Sequence, residues 1–315
     1  MISIVIPIHN EASILPELLQ RITTASEGWG EEHEIVLVDD GSHDDSLAIA
    51  LAAAQSDPRH VIVKLSRNFG HQAAITAGLQ NARGEAVIIM DGDLQDPPEE
   101  LIRFIVKWRE GFDVVYGVRT QRKEGPAKRL AYTIFYRLLR IISEIDIPLD
   151  SGDFCLMSRR VVDVLEGRFP EQIRFVRGLR AFVGFRQTGI PYVRQARHAG
   201  TPSYSISALM RLAIDGLLGF SMLPLRLASF LGFFIAIPSF LVGLYFILHR
   251  LFGFRVLGHL ATDTPGLTTL AVGVFFMGGL TLIILGIIGE YLGRIYVEVK
   301  RRPSFVVERV YRASS

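Results

Sequence analysis

The chain has 315 residues, is 49% apolar and carries a formal charge of +2, with a mean hydropathy of +0.31. The length exceeds one small domain, the charge balance gives no electrostatic case for nucleic acid, and the hydropathy implies that part of the chain prefers lipid. A single cysteine, Cys155, excludes an intramolecular disulfide and a cysteine-based zinc cluster.

The first seven residues lack the basic region of a signal peptide and read as the first strand. β-Branched runs at residues 2–6, 34–38, 61–65, 86–90 and 114–116 predict strands, and residues 11–25, 44–54, 71–81 and 98–110 predict the helices between them. This alternation argues for an α/β, Rossmann-like domain with a mostly parallel sheet and helices on both faces. In such sheets ligands bind beyond the carboxyl ends of the strands. Three polar clusters fall there: His9-Asn10-Glu11, Asp39-Asp40-Gly41-Ser42 and Asp91-Gly92-Asp93.

The turn after the first strand, Pro7-Ile8-His9-Asn10-Glu11, is not a Gly-x-Gly-x-x-Gly dinucleotide turn, and a P-loop is absent. A nucleotide would therefore be held through base, ribose and a metal-bridged diphosphate. Pro7, His9 and Glu11 are placed to shape a base pocket, with a helix cap at Glu11 as the plainer alternative. Asp39 and Asp40 suit a ribose or base edge, or a helix cap, and both readings stay open.

Asp91 and Asp93 end an apolar strand and precede Leu94-Gln95-Asp96-Pro97-Pro98-Glu99. Two uncompensated carboxylates so close would repel until one protonated. Mg²⁺ or Mn²⁺ resolves this, because such an ion takes one or two carboxylates together with phosphate oxygens and water. Gln95 offers a neutral carbonyl oxygen two residues on.

From about Gly125 the pattern changes. Residues 126–142 mix Lys128, Arg129, Arg137 and Arg140 with aromatic and aliphatic residues, which suits a surface helix or one at a membrane interface. Arg174 and Arg177 sit in an aromatic, basic segment and could face a lipid headgroup, or make ordinary surface ion pairs. Residues 207–223 form a second amphipathic stretch leading to two uncharged runs, 227–248 and 264–289. Each run exceeds the roughly 20 residues that cross a bilayer. The expected arrangement is a two-helix transmembrane hairpin, with the basic flanks placing both termini in the cytoplasm. Gly278, Gly279, Gly286 and Gly289 would permit close helix packing, compatible with a homo-oligomer. The expected boundaries are a catalytic domain over 1–205, a juxtamembrane helix over 206–225, two spans within 226–296 and a cytoplasmic tail over 297–315.

Together these segments resemble the family 2 glycosyltransferases of the GT-A fold, in the polyprenyl-phosphate branch. That branch includes dolichol-phosphate mannose synthases and bacterial undecaprenyl-phosphate glucosyl- and aminoarabinosyl-transferases. The resemblance rests on Ile4-Val5-Ile6-Pro7 with Asn10-Glu11, on Val38-Asp39-Asp40-Gly41-Ser42 and on Arg67-Asn68-Phe69-Gly70. It continues through Ala77-Gly78, Gly84, the string from Asp91 to Glu99, Gly117-Val118-Arg119 and Gly152-Asp153-Phe154, then Arg174-Phe175-Val176-Arg177-Gly178.

The resemblance implies a nucleotide-diphosphate sugar donor, with UDP preferred over GDP, and a polyprenyl phosphate acceptor at the cytoplasmic face of the membrane. It implies Asp91, Asp93 and Gln95 as metal and diphosphate ligands, and Asp39 with Pro7, His9 and Glu11 around the nucleotide. Arg119, Arg129 and Arg197 would neutralise phosphates, and Asp153 would lie near the acceptor phosphate. One stretch departs from the family pattern: Pro202-Ser203 stands where Ser and Lys or Asn are usual, which leaves Arg197 as that segment's phosphate contact.

The implied chemistry is one inverting displacement at the anomeric carbon by a lipid phosphate oxygen. Two alternatives are a processive polysaccharide synthase and a non-catalytic sugar-nucleotide-binding membrane protein. The first usually carries Gln-x-x-Arg-Trp, and neither Trp29 nor Trp108 lies in that setting.

Overall fold

A computed structural model describes residues 1–120, 151–169, 171, 175–195 and 266–312, with isolated positions between 225 and 241. The chain divides into two units, Met1–Gly216 with Arg301–Ser315, and Leu217–Lys300.

In the first unit the elements run β1 (Ile2–Ile8), α1 (Leu15–Ser26), β2 (His33–Asp39), α2 (Ser46–Ser56), β3 (His60–Leu65), α3 (His71–Asn81) and β4 (Ala86–Ile89). A 3-10 turn at Pro98–Glu100 leads into α4 (Leu101–Arg109), followed by β5 (Val114–Arg119), β6 (Ser151–Ser158), α5 (Arg159–Arg168), α6 (Val176–Phe182) and β7 (Gln187–Tyr192). A last strand, β8 (Val307–Tyr311), follows the second unit.

Every residue of β1, β2 and β4 is buried, as strands covered on both faces must be. Helix α1 buries Leu15, Leu18, Leu19 and Ile22, one stripe at helical spacing, and α4 buries Leu101, Phe104 and Ile105. The rings of Phe104 and Phe154 stand 4.7 Å apart, and Phe154 meets Tyr192 at 5.3 Å, tying α4, β6 and β7 into one core.

The strand order is β7-β5-β6-β4-β1-β2-β3-β8. The pairs β1–β2, β2–β3 and β1–β4 are parallel, as the alternation predicts. Strand β6, however, runs antiparallel to both β4 and β5, and β8 antiparallel to β3, so the sheet is mixed. Strands β6, β7 and β8 were not foreseen. β6 reads Ser-Gly-Asp-Phe-Cys-Leu-Met-Ser, where Gly and Asp depress strand propensity. β8 reads Val-Glu-Arg-Val-Tyr and lies at an edge, where charge is tolerated and protects against mispairing.

Beyond β8, Arg312 reaches buried Glu34 (Nη1–Oε2 3.3 Å) and donates to the Asn81 carbonyl (2.8 Å). Glu34 also accepts from the Ser3 hydroxyl and from the Arg83 N–H, both at 2.6 Å. Residues 307–312, expected to lie in a tail, are thus built into the sheet of the first unit.

In the second unit the described element is α7 (Gly266–Lys300), 35 residues long. Its stretch Phe276–Lys300 contains an 18-residue window of mean hydropathy 1.7, with none of that window buried. At 1.5 Å per residue those 25 residues reach about 38 Å, more than the roughly 30 Å of a bilayer core. The helix runs past the end of the uncharged run at Gly289 and continues from Glu290 to Lys300, a stretch that holds no proline to stop it. The expected hairpin is not carried by this: one candidate span is seen among the described residues. The run 227–248 falls outside them apart from isolated positions, and so do the amphipathic stretches 126–142 and 207–223.

Candidate active site

Strand direction explains how distant residues meet. Parallel β1, β2 and β4 deliver His9, Asp39–Asp40 and Asp91 to one end of the sheet. Antiparallel β6 pairs Cys155 with Ile89, so its register carries Asp153 to the level of Asp91. β7 runs parallel to β5 with Arg119 opposite Tyr192, which brings Arg119, Tyr192 and Arg194 to the same end.

The turn after β4 is set by Leu94, which is fully buried yet holds φ +57°. A non-glycine residue in this region costs about 1–2 kcal/mol, comparable to the roughly 1.5–3 kcal/mol from burying a leucine. The turn keeps Asp93 and Gln95 at the strand end, where Asp93 Oδ1 accepts the Gln95 N–H at 3.1 Å. The Gln95 carbonyl accepts the Gln195 N–H at 3.0 Å, closing the segment after β7 over the turn.

Asp91 Oδ1 is buried without a hydrogen-bond partner. Burial, with the charges of Asp96, Asp153 and Asp93, pushes this carboxyl up to about 7 against the opposing pull of His71. Among the described residues no group of three His, Cys, Asp or Glu side chains could hold a metal alone. Two carboxylates with one orphaned oxygen do fit a hard cation that completes its shell with phosphate oxygens and water.

His71 and Gln72 open α3 and face both carboxylate strands. His71 Nε2 stands 3.5 Å from Asp91 Oδ1 and 3.5 Å from Asp153 Oδ2. Burial opposes its charge, but the hydrogen bond to Asp153 and the charges of Asp91, Asp153 and Asp40 outweigh it and raise the imidazole to about 9. Burial would likewise lift the Asp153 carboxyl, yet His71, Arg177 and Arg180 hold it below the ordinary range. Gln72 Nε2 donates to Asp153 Oδ2 at 3.0 Å.

Arg119 lies along β6, its guanidinium over Gly152, where a Cβ would come within 2.8 Å of Nη2. Its Nε is 3.4 Å from the Tyr192 hydroxyl, which donates to buried Asp96 at 2.6 Å. Arg194 bridges the two acidic groups, with Nη2 3.7 Å from Asp91 Oδ2 and Nε 3.9 Å from Asp96 Oδ1.

On the nucleotide side Asp40 is engaged by the fold: it accepts the N–H groups of Phe69 (2.7 Å) and Gly70 (2.9 Å). Asp39 accepts the Ser42 N–H at 3.2 Å through Oδ1 and keeps Oδ2 buried and unpartnered. Of the two, Asp39 is therefore free to bind. Neither caps α2, whose N-cap is Asp45. Gly41 holds φ +68°, and a Cβ there would meet Asn68 N at 2.6 Å, so the two loops touch because it is glycine. His9 Nδ1 lies 3.0 Å from the Asp40 carbonyl, and its ring also meets Asn68 at 3.2 Å. Pro7 is within β1, opposite Val38, and the Glu11 N–H donates to Ser46 Oγ at 2.8 Å.

Arg177 donates to the Ser151 carbonyl, and buried Arg180 reaches the Gly152 carbonyl at 3.4 Å. Nitrogens of both remain buried without a partner. Arg129, Arg174 and Arg197 lie outside the described residues. Sequence reasoning missed His71, Gln72, Arg180 and Arg194. His71 and Gln72 were findable by applying the strand-end rule to β3, and Arg180 by its one-turn spacing from Arg177. Arg194 carried no signal without the unforeseen β7.

The glycosyl transferase family 2 model matches residues 3–165. An uncharacterized glycosyltransferase of Bacillus subtilis is 44% identical over 98% of this chain and 94% of its own. An uncharacterized glycosyltransferase of Synechocystis is 41% identical over 98% and 95%. A bactoprenol glucosyl transferase of Shigella phage SfII is 39% identical over 99% of both chains. Among solved structures, a mannosyltransferase of Pyrobaculum calidifontis in complex with GDP-Man and Mn²⁺ aligns at TM-score 0.49 and 22% identity, covering 69% of this chain and 61% of that one.

Proposed function

The chain belongs to glycosyl transferase family 2 and is a glycosyltransferase, and from that premise we propose that it moves one glucose from UDP-glucose onto a polyprenyl phosphate at the cytoplasmic face of a membrane. Full-length identity of 39% to a bactoprenol glucosyl transferase supports the acceptor and the sugar. The observation that carries the chemistry is the meeting of Asp91 and Asp153, from two strands, on one nitrogen of His71.

In the proposed reaction an oxygen of the lipid phosphate forms a bond to the anomeric carbon while the bond to the nucleoside diphosphate breaks. One such displacement inverts the configuration. The acceptor's second pKa is about 6, so near neutrality it is already mostly ionised and needs no strong base. Asp153, held ionised, orients the acceptor and takes any residual proton; it does not create the nucleophile. Arg177 and Arg180 beside it offset the approach of an anionic lipid to an anionic carboxylate.

On the donor side, Asp91 and Asp93, with the side-chain amide oxygen of Gln95, would hold Mg²⁺ or Mn²⁺. When bound, such an ion supplies Lewis-acid stabilisation of the diphosphate leaving group. Arg119 and Arg194, at the same strand ends, take diphosphate oxygens, as would Arg129 and Arg197. Asp39 accepts from the ribose or base through its free oxygen, with Pro7, His9 and Glu11 shaping the pocket. Helix α7 anchors the chain where the lipid phosphate is presented, and we read it as one arm of a hairpin, with both termini cytoplasmic.

Supplying membranes that contain the protein with labelled nucleotide sugars and undecaprenyl phosphate tests the reading. A single sugar on lipid supports it, and a polymer or no lipid product opposes it.

A further inference from the structure

We infer that Gln72 is a positioning residue for the acceptor side of the site, an assignment that rests on the acceptor reading just given. Its amide is fixed from both ends. The Val176 N–H donates to Gln72 Oε1 at 3.0 Å, so the amide nitrogen must face the other way, and there it donates to Asp153 Oδ2 at 3.0 Å. One side chain thus joins three elements: the first turn of α3, the start of β6 and the first residue of α6.

What α6 carries gives this link its meaning. Arg177 and Arg180 both turn back onto β6, to the carbonyls of Ser151 and Gly152, the two residues before Asp153. Each keeps donors that are buried and unpartnered: Nε of Arg177, and Nε and Nη2 of Arg180. Two guanidinium groups with spare donors beside an ionised carboxylate suit a phosphate monoester, provided that the helix bearing them stays in register with the strand. Gln72 provides that register. It is a hydrogen bond to a charged group at one end and a backbone tether at the other, and neither contact touches the carboxylates assigned to the donor diphosphate.

Donor and acceptor terms should therefore separate. A hydrogen bond to a charged group contributes enough that its loss amounts to about ten- to a hundredfold in an equilibrium or rate. In the full-length protein in detergent, with UDP-glucose and undecaprenyl phosphate as probes, Gln72→Ala should raise KM for the lipid by about that factor. KM for UDP-glucose should stay within about twofold of wild type, and the melting temperature within a few degrees. Gln72→Glu keeps an oxygen for the Val176 N–H but sets a like charge against Asp153, and should show the same selective loss for the lipid. A parallel rise in both KM values, or an unmoved lipid KM in both variants, overturns the assignment. Should Gln72→Ala fail to fold, Gln72→Glu decides alone by the same criterion. A wild-type protein that makes no glycolipid counts against the acceptor reading itself and removes the assignment with it, whereas wild-type turnover with an unmoved lipid KM in the variants removes the assignment alone.

Discussion

Tyr192 donates its hydroxyl to Asp96 at 2.6 Å across 96 positions of chain, and both side chains are at most 2% exposed. The bond fastens the end of β7 to the turn that carries Asp91, Asp93 and Gln95. Burial and the adjacent Asp96 push the phenol above its ordinary range, so Tyr192 stays a donor at every working pH. Tyr192→Phe removes one donor from a buried carboxylate and should cost about 1–3 kcal/mol of stability. Thermal unfolding of the full-length protein checks this, and an unchanged midpoint would show that Asp96 finds another partner.

Asp153→Asn separates orientation from base catalysis. If Asp153 orients an already ionised phosphate, the variant should lose about a hundredfold in rate or more at every pH from 7 to 9. A pH–rate profile reads this directly. A loss that disappears toward pH 9 would make Asp153 a base.

The C-terminal strand predicts an effect far from the site. Arg312→Ala strips Glu34 of its charged partner while leaving the Ser3 hydroxyl and the Arg83 N–H in place. The expected cost is about 1–3 kcal/mol. Removing the chain from residue 307 onward should cost more, because it uncovers the β3 edge. Melting curves of the two variants decide whether this strand belongs to the catalytic fold, and two wild-type curves would say that it does not.

The α/β half was legible because its strands are short β-branched runs and its helices carry one apolar stripe. Strand ends follow from that pattern, and with them Asp39, Asp91 and Asp93. The pattern fails at β6, where Gly152 and Asp153 weaken the strand signal, and at β8, whose charges suit an edge. Strand direction was the larger omission. Asp153 faces Asp91 only because β6 is antiparallel, and no local pattern encodes that. The links made by His71, Gln72 and Arg194 depend on it.

Two buried histidines give the fold a pH dependence. Burial lowers both His33 and His60, and His60 Nε2 has no partner. A base whose folded pKa lies below its unfolded value contributes stability that is present above about pH 6.5 and lost as the pH falls through the folded value. These two histidines therefore subtract stability on acidification below about pH 6.5, against Asp91, whose raised carboxyl adds stability as the pH falls below about 7. His60→Phe should make the melting temperature less sensitive to acid than in wild type. A slope identical to wild type would exclude His60 as a contributor.

The most direct test of the account combines transfer with removal of the cation. Full-length protein is incubated with radiolabelled UDP-glucose and undecaprenyl phosphate, with and without excess chelator, alongside Asp93→Ala. The account predicts one glucose on each labelled lipid for the untreated wild type, and at least about a hundredfold less product in the other two reactions. A lipid product whose yield is untouched by chelator and by Asp93→Ala would contradict it.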